Sequence, residues 1–231
     1  MNTRTLSCLA LSMMVFVVGC PDGGGSGGNE GTGIIPAVVY TANDGSNTVS
    51  GFTIGAGGVL TATAPATFAT GGTDTQWIAV SANGQFLYLS NQSSANISAY
   101  TINSTTGVLT ATTPATFSTG VGSSPQRIAV SPNGSFLYVA NSGTDEVAAF
   151  TIGAGGLLTP TTPTTFSTGI GSVPVGITIN PTGQFVYVAN SGTNQVAGFT
   201  IGVGGVLAPT TPATFSVAPN VPVAIATPGR P

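Results

Sequence analysis

A short segment centred on tyrosine recurs along this chain and restricts its fold more than any other feature. In each copy the tyrosine follows Val or Leu and precedes Asn by three positions, and the copies are 48, 50 and 49 residues apart. A Phe-Ser-Thr-Gly or Phe-Ala-Thr-Gly segment repeats in the same register. A repeat of this length indicates one structural unit that must stack on its neighbours to bury a core. The four tyrosines are Tyr40, Tyr88, Tyr138 and Tyr187.

Each unit has the pattern of four strands. In the third unit, a short apolar strand at 128–130 leads to Asn133 and Gly134, which predict a tight hairpin with positive φ angles. A second strand follows at 136–140, and a third at 146–152 alternates in side-chain polarity. The fourth, at 157–166, is rich in Thr and contains two prolines, which places it at a sheet edge. Four-stranded units of this length are typical of β-propeller blades.

The two ends of the domain lack complementary parts of one unit. The domain opens near Ala37 with a second strand, and it ends with 223–227, which aligns with a first strand. The 196 residues from 34 to 229 equal four units of 49. We therefore expect an all-β propeller of four blades, each of four antiparallel strands, over residues 34–231. The C-terminal first strand is expected to pair with the N-terminal second strand and close the ring. Two chains forming an eight-bladed ring are the alternative.

The N-terminal segment predicts export and lipidation. Arg4 precedes an apolar run from Leu6 to Gly19, which is too short for a resident membrane helix and matches a secretory signal. The run ends in Val-Val-Gly before Cys20, which resembles the lipobox of bacterial lipoproteins. We expect a signal peptide at 1–19, a lipidated Cys20 and a flexible Gly-rich tether to residue 33. The protein is then held by its lipid in the bacterial cell envelope, at the outer membrane, in the periplasm or on the cell surface.

The repeat also resembles a known family. Tyr-Val-Ala-Asn-Ser-Gly, an alternating strand, a Gly-rich turn, Leu-Thr, Phe-Ser-Thr-Gly and a Pro-Asn-Gly-x-Phe hairpin are similar to the lactonase-type propeller repeat of 6-phosphogluconolactonase-like and YVTN-repeat proteins. The resemblance covers about 196 of the 231 residues and implies a propeller. Family members usually have seven blades, so four units are a departure. The family's catalytic His and acidic residues have no match that we can place here, so the resemblance does not carry its activity over.

The charged residues of this chain are few, and they limit its function. Only 4% of residues are charged, with three Arg, no Lys and no His. No basic stripe can neutralise phosphates, which excludes nucleic acid as a partner. Without His, and without a thiol after Cys20, the sequence offers no Ser–His or Cys–His nucleophile pair and no His-metal site. We therefore predict no catalytic residues, no metal, no cofactor and no enzymatic activity.

The loops after the second strands and the loops between blades predict a candidate binding face. Trp77 and Arg127 break the symmetry of the repeat at nearly equivalent positions, which favours a site. The acidic residues are either solvated loop charges or ligands, and the repeated Asn side chains either stabilise turns or contact a ligand. The face contains Asp44, Asp74, Trp77, Arg127, Asp145, Glu146, Asn43, Asn91, Asn141 and Asn190.

These observations support three functional hypotheses. The first is a binding or scaffold module that uses the loop face for a glycan, a peptide or an envelope protein. The second is a structural or adhesive surface protein without a specific ligand. The third, ranked last, is a lactonase-like hydrolase. Low charge gives little repulsion between copies, so a homodimer is a further expectation.

Overall fold

Period-two patterning and β-branched residues fold this chain almost wholly into strands. The computed structural model describes residues 15–18 and 37–227. Within those ranges it has sixteen strands and four 3₁₀ helices, at Asp44–Ser46, Ala56–Gly58, Ala154–Gly156 and Val203–Gly205. None of these helices is long and apolar enough to cross a membrane.

The strands form four antiparallel sheets, each built from strands consecutive in sequence. Blade 1 contains β1 (Val15–Val18), β2 (Val38–Asn43), β3 (Thr48–Ile54) and β4 (Leu60–Ala69). Blade 2 contains β5 (Thr75–Val80), β6 (Phe86–Asn91), β7 (Asn96–Ile102) and β8 (Leu109–Ser118). Blade 3 contains β9 (Pro125–Val130), β10 (Phe136–Asn141), β11 (Glu146–Ile152) and β12 (Leu158–Ser167). Blade 4 contains β13 (Pro174–Ile179), β14 (Phe185–Asn190), β15 (Gln195–Ile201) and β16 (Leu207–Ser216). The prediction of an all-β propeller fold with four four-stranded blades is confirmed.

Burial differs between the strands of a blade in the way that the repeat predicts. The second strand is almost completely buried because neighbouring blades cover both of its faces, as in β10. The fourth strand is mostly exposed and contains the prolines, as in β12. Proline cannot donate to a sheet ladder, so the outer edge is where it is tolerated.

The hairpins between first and second strands differ in detail from the prediction. Gly134 has a φ of 71°, but Asn133 is not among the residues with positive φ. Asn133 instead uses its side-chain oxygen, which accepts hydrogen bonds from the Ser131 hydroxyl at 2.6 Å and the Ser135 amide at 3.0 Å. The Asn is therefore present for its side-chain acceptor, as in an Asx turn, and only the glycine provides the left-handed conformation.

A hydrogen bond from a tyrosine to a glycine joins consecutive blades. A tyrosine of the second strand donates its phenol hydrogen bond to a glycine carbonyl one blade further along the chain, and burial raises the pKa of each of these phenols. The side chain two residues before each tyrosine, which is aliphatic or aromatic, packs on the same glycine. The hydrogen bonds are Tyr40 to Gly107 (2.6 Å), Tyr88 to Gly156 (3.1 Å) and Tyr138 to Gly205 (2.9 Å).

The expected closure of the ring by the chain ends is wrong. β2 pairs with β1, with Val38 opposite Val18, and not with the C-terminal segment. Residues 221–227 form no strand and lie along β13, where the Thr227 hydroxyl donates to the Ile179 carbonyl at 2.9 Å. That is the position of the inner strand of a following blade. Among the described residues, hydrophobic clusters join blades 1 and 2, 2 and 3, and 3 and 4, and none joins blade 4 to blade 1.

Candidate functional site

The loops after the second strands and the connections between blades lie against each other at one end of the blades. Backbone hydrogen bonds connect the two kinds of loop in three blades. These loops begin the inner strands β5, β9 and β13, which lie side by side along the central channel. A side chain near the start of an inner strand therefore reaches the channel mouth. The bonds run from the Gln92 amide to Asp74 (2.7 Å), from Gly143 to Ser123 (2.9 Å) and from Gly192 to Ser172 (2.9 Å).

Arg127 and Trp77 meet at this mouth. The guanidinium carbon of Arg127 lies 4.0 Å from the centroid of the Trp77 ring, a cation–π contact between the inner strands of two blades. Burial lowers the pKa of Arg127, although the guanidinium stays charged at any physiological pH. The arginine thus places a half-buried positive charge in the channel.

A cavity of about 140 Å³ surrounds the pair. Its neighbours include the amides of Gln76 and Gln126, which the sequence analysis did not single out. Each amide precedes Trp77 or Arg127 by one position, so its register in the repeat was a signal that could have found it. The cavity is lined by Gln76, Trp77, Gln126, Arg127, Val175 and Val223.

Two carboxyl groups, Asp44 and Asp74, interact near the start of β5, and neither lines the cavity. The Asp74 carboxylate accepts hydrogen bonds from the Gln76 side-chain amide and, at 2.9 Å, from the Ser93 hydroxyl. The pKa of Asp44 is raised above its ordinary value, first by desolvation and then by the charge of Asp74 and a hydrogen bond to it. The Asp44 and Asp74 carboxyl groups therefore interact directly with each other. Gln76 connects this pair to Arg127, because the same side chain bonds Asp74 and lines the cavity.

The structure gives Asp145 and Glu146 different roles from the other predicted acids. The Asp145 carboxylate accepts the backbone amides of Val173 at 2.8 Å and Gly171 at 2.7 Å. These bonds, that from Val173 foremost, lower its pKa against the opposing effect of desolvation. The Glu146 carboxylate accepts the Thr165 hydroxyl at 3.1 Å. Neither acid lines the cavity, and Asp145 holds the connection between blades 3 and 4 in place.

The repeated asparagines are structural groups and not surface contacts. Asn91, Asn141 and Asn190 are fully buried at the ends of their strands. Asn91 donates to Asn96 at 2.8 Å and to Ser98 at 2.7 Å. The fourth, Asn43, donates to Thr48 at 3.0 Å and Ser50 at 2.8 Å; Asn141 and Asn190 donate to the carbonyls of Thr119 and Thr168, both at 3.3 Å.

The residue opposite the buried asparagine, and so its hydrogen-bond partner, differs between blades. In blade 2, the Thr75 hydroxyl donates to the Asn91 side-chain oxygen at 2.9 Å. In blade 3 the residue opposite Asn141 is Pro125, which offers no hydroxyl, and the Asn141 side-chain oxygen is buried without a partner. A buried polar atom without a partner costs free energy, so blade 2 has the better satisfied turn.

The structure provides information on metal binding but not on lipidation. Across residues 15–18 and 37–227, the structure contains no group of three His, Cys, Asp or Glu side chains placed to bind a metal ion. The predicted lipidation site, Cys20, lies outside the described residues.

Comparison with known proteins assigns a family. The family model described as "Lactonase, 7-bladed beta-propeller" matches residues 36–123 and 110–223, which together cover most of the chain. The chain belongs to this lactonase propeller family. The prediction that it is not an enzyme is contradicted by that membership. The prediction relied on the missing His and Cys nucleophile pairs, which left only carboxylates as candidate catalytic groups.

Solved structures share the fold. A Bacteroides uniformis protein provisionally named 6-phosphogluconolactonase is 22% identical, with a TM-score of 0.65 over 74% of this chain and 52% of its own. A periplasmic gluconolactonase from Pseudomonas aeruginosa is 21% identical, with a TM-score of 0.62 over 78% and 54%. A streptogramin B lyase is 17% identical, with a TM-score of 0.57 over 93% and 63%. The chain thus spans about half the length of the first two. No curated protein matches it.

Proposed function

We propose that this family member hydrolyses a sugar lactone at the channel mouth, with Arg127 and the Asp44–Asp74 pair as its reacting groups. The observation that carries the proposal is the double role of Gln76, which bonds Asp74 and lines the cavity that holds Arg127. Gln76 thereby links an interacting carboxyl pair to the cavity that contains a fixed cation. Names of the structural relatives suggest gluconolactone, or its 6-phosphate, as the substrate class.

The chemistry requires a base, an acid and a group that stabilises negative charge. One carboxylate of the Asp44–Asp74 pair takes a proton from water, and the water oxygen bonds to the lactone carbonyl carbon. Arg127 stabilises the alkoxide that forms on the carbonyl oxygen. The bond from the carbonyl carbon to the ring oxygen then breaks, and the protonated member of the pair gives its proton to the leaving oxygen. One water is consumed, a hydroxy acid is released, and the carboxyl pair returns to its starting protonation state.

The surroundings suit a small polyhydroxylated substrate. The cavity of about 140 Å³ is smaller than the roughly 300–1,000 Å³ of drug-sized sites, so it suits a single small ring. The Gln76 and Gln126 amides offer donors and acceptors to sugar hydroxyl groups. Further along the inner strands, a second cavity includes the side chains of Ile128 and Val130.

A lactone hydrolysis assay tests this proposal. The full chain is incubated with glucono-1,5-lactone or its 6-phosphate, and acid release is followed by pH-stat with the spontaneous rate subtracted. Asp74→Asn and Arg127→Leu are each expected to lower kcat by about 100-fold or more, the usual contribution of a positioned general base or oxyanion donor. Glu146→Gln is the matched control, because the Glu146 carboxylate bonds Thr165 and not a residue of the cavity, and Gln retains an oxygen acceptor for that hydroxyl. Its rate should stay within about twofold of the parent.

Two results would count against the proposal. A parent chain with no rate above buffer removes lactone hydrolysis and leaves ligand binding at the loop face, for a glycan, peptide or envelope protein, as the remaining hypothesis. A measurable rate that Asp74→Asn and Glu146→Gln change equally would place the chemistry elsewhere in the chain.

We also propose that the protein is exported and held in the cell envelope by lipid on Cys20. The support is the apolar run from Leu6 to Gly19, which ends directly before this cysteine. Cleavage there would also remove β1 from blade 1. Radiolabelled palmitate should label the parent chain and not Cys20→Ser, and the variant should leave the membrane fraction. Labelling of both chains would contradict lipidation at this position.

A further inference from the structure

A buried serine interrupts the repeat in blade 2. Ser90 lies two positions after the tyrosine of β6, and the same position holds Ala42, Ala140 and Ala189 in blades 1, 3 and 4. All four residues are buried, and Ser90 is completely so. Since alanine fills this position in three blades, the packing between strands does not require a hydroxyl group there. A buried hydroxyl costs free energy unless it has hydrogen-bond partners, so the partners of Ser90 indicate its role.

The Ser90 hydroxyl connects the inner strands of two blades. It accepts a hydrogen bond from the Trp77 amide of β5 at 3.1 Å and donates one to the Gln126 carbonyl of β9. Gln126 directly precedes Arg127, whose guanidinium lies over the Trp77 ring. One side chain thus joins the backbone of the tryptophan to the backbone next to the arginine.

The two strands are irregular where this link occurs. The register of β5 shifts against β6 between Thr75 and Trp77, and the register of β9 shifts against β10 between Pro125 and Ile128, the segment that contains the arginine. A β-bulge of this kind disrupts the ladder locally and changes the direction of a side chain. β5 and β9 also belong to different sheets, so no ladder holds them at a fixed separation. The Ser90 hydroxyl provides a direct hydrogen-bonded link at this point.

We propose that Ser90 is a positioning residue that holds the Arg127 guanidinium over the Trp77 ring and directs it toward the lactone carbonyl oxygen. Its role in the reaction rests on the lactone hydrolysis proposed above, whereas the placement of the Trp77–Arg127 pair does not. An oxyanion donor is effective only when it is held where negative charge develops. Ser90 is fully buried and exerts this effect through the two strands that it connects.

Tryptophan fluorescence tests the placement of the pair directly. Trp77 is the single tryptophan of the chain, and Arg127→Leu gives its emission without the cation. Ser90→Ala introduces the side chain that the other three blades use, so the variant should fold with a cooperative melt. It should shift the emission maximum by about half or more of the difference between the parent and Arg127→Leu, because the cation–π contact loosens. Ser90→Thr keeps the hydroxyl and should keep the parent emission.

Ser98→Ala is the matched control in the same blade. Ser98 is fully buried, and alanine occupies its counterpart positions in blades 3 and 4. Its hydroxyl donates to the Thr70 carbonyl and accepts from the Asn91 amide. Both alanine variants lose a buried hydroxyl group, but only Ser90→Ala loses the link between β5 and β9. Ser98→Ala should therefore leave the emission maximum at the parent value.

Hydrolysis of glucono-1,5-lactone tests the role of Ser90 in the reaction. Ser90→Ala should lower kcat about tenfold with KM within about twofold of the parent, because a displaced donor weakens transition-state binding more than substrate binding. Ser98→Ala should leave kcat within about twofold of the parent, and Ser90→Thr should restore the kcat that Ser90→Ala loses.

The two readouts separate failure of this inference from failure of the proposed function. An emission maximum that Ser90→Ala leaves unchanged, or that Ser90→Ala and Ser98→Ala shift equally, would overturn the positioning of the pair. In an active parent, an emission shift without a loss of kcat would overturn the role of Ser90 in the reaction. A parent chain that hydrolyses no lactone removes the proposed function and that role together, and the emission maxima then still decide whether Ser90 places the pair.

Discussion

Two adjacent glycines in blade 4 allow the packing between blades to be measured separately from backbone strain. Gly204 and Gly205 both have positive φ, 70° and 81°. A Cβ added at Gly205 would lie 2.5, 2.9 and 3.1 Å from ring carbons of Phe136 in blade 3, whereas one added at Gly204 has no neighbour within 4 Å. Both alanine variants therefore have the cost of a left-handed residue, and only Gly205→Ala has the clash.

The magnitudes follow from these two terms. A non-glycine residue in the left-handed region costs about 1–2 kcal/mol, so Gly204→Ala should lower the free energy of unfolding by about 1 kcal/mol. Overpacking an interface adds about 1–3 kcal/mol, so Gly205→Ala should lower it by about 2–4 kcal/mol. Urea unfolding followed by circular dichroism measures both, with equal slopes required for the comparison.

A double-mutant cycle identifies the source of the difference. Phe136→Leu removes the ring that the new methyl group would meet, so Gly205→Ala should cost less in that background than in the parent. Equal losses for the two glycine variants, or the same loss with and without the Phe136 ring, would refute the view that tight glycine contacts set the distance between blades.

Two further predictions concern the loop face. The pKa of Asp145 is held below its ordinary 3.8, so its contribution to stability is present above that pH and is lost as pH falls through the folded-state pKa. Asp145→Asn should therefore be less stable than the parent at pH 7, with the gap in melting temperature closing in acid; a gap independent of pH would contradict this. Thr75→Val should lower the free energy of unfolding by about 1–2 kcal/mol in urea titration, because it leaves the buried Asn91 oxygen without its donor. An unchanged midpoint would show that this hydrogen bond is not needed.

The repeat in the sequence was sufficient to predict the blades. The tyrosine spacing, the proline-containing outer strand and the turn residues each report on local structure, and the four sheets agree with them. The closure of the ring was not predictable in this way. Matching residues 223–227 to the missing first strand of blade 1 assumed that these two ends are neighbours. Their distance depends on the rotation from blade to blade, which is set by contacts such as Tyr138 with Gly205 and is not encoded in the strand pattern.

The candidate site was predicted in part. Trp77 and Arg127 stood out because a symmetric array has no structural need for them, and the structure brings them into contact. The asparagines recur in every blade, and this regularity already favoured a structural role over ligand contact. The interaction between the Asp44 and Asp74 carboxyl groups was not predictable from the sequence. Asp74 has a positive φ of 60°, a backbone conformation that strand propensity and periodicity do not predict.

The tyrosine-to-glycine contact spans 67 or 68 residues each time it occurs. Blades 2 and 3 thus each carry a donor for the blade after them and an acceptor for the blade before them. A duplicated or deleted repeat would meet neighbours that already fit, with no compensating substitution required. In such a chain, the number of blades can change by recombination of whole units, and selection then acts on the size of the channel and not on the repair of a new core.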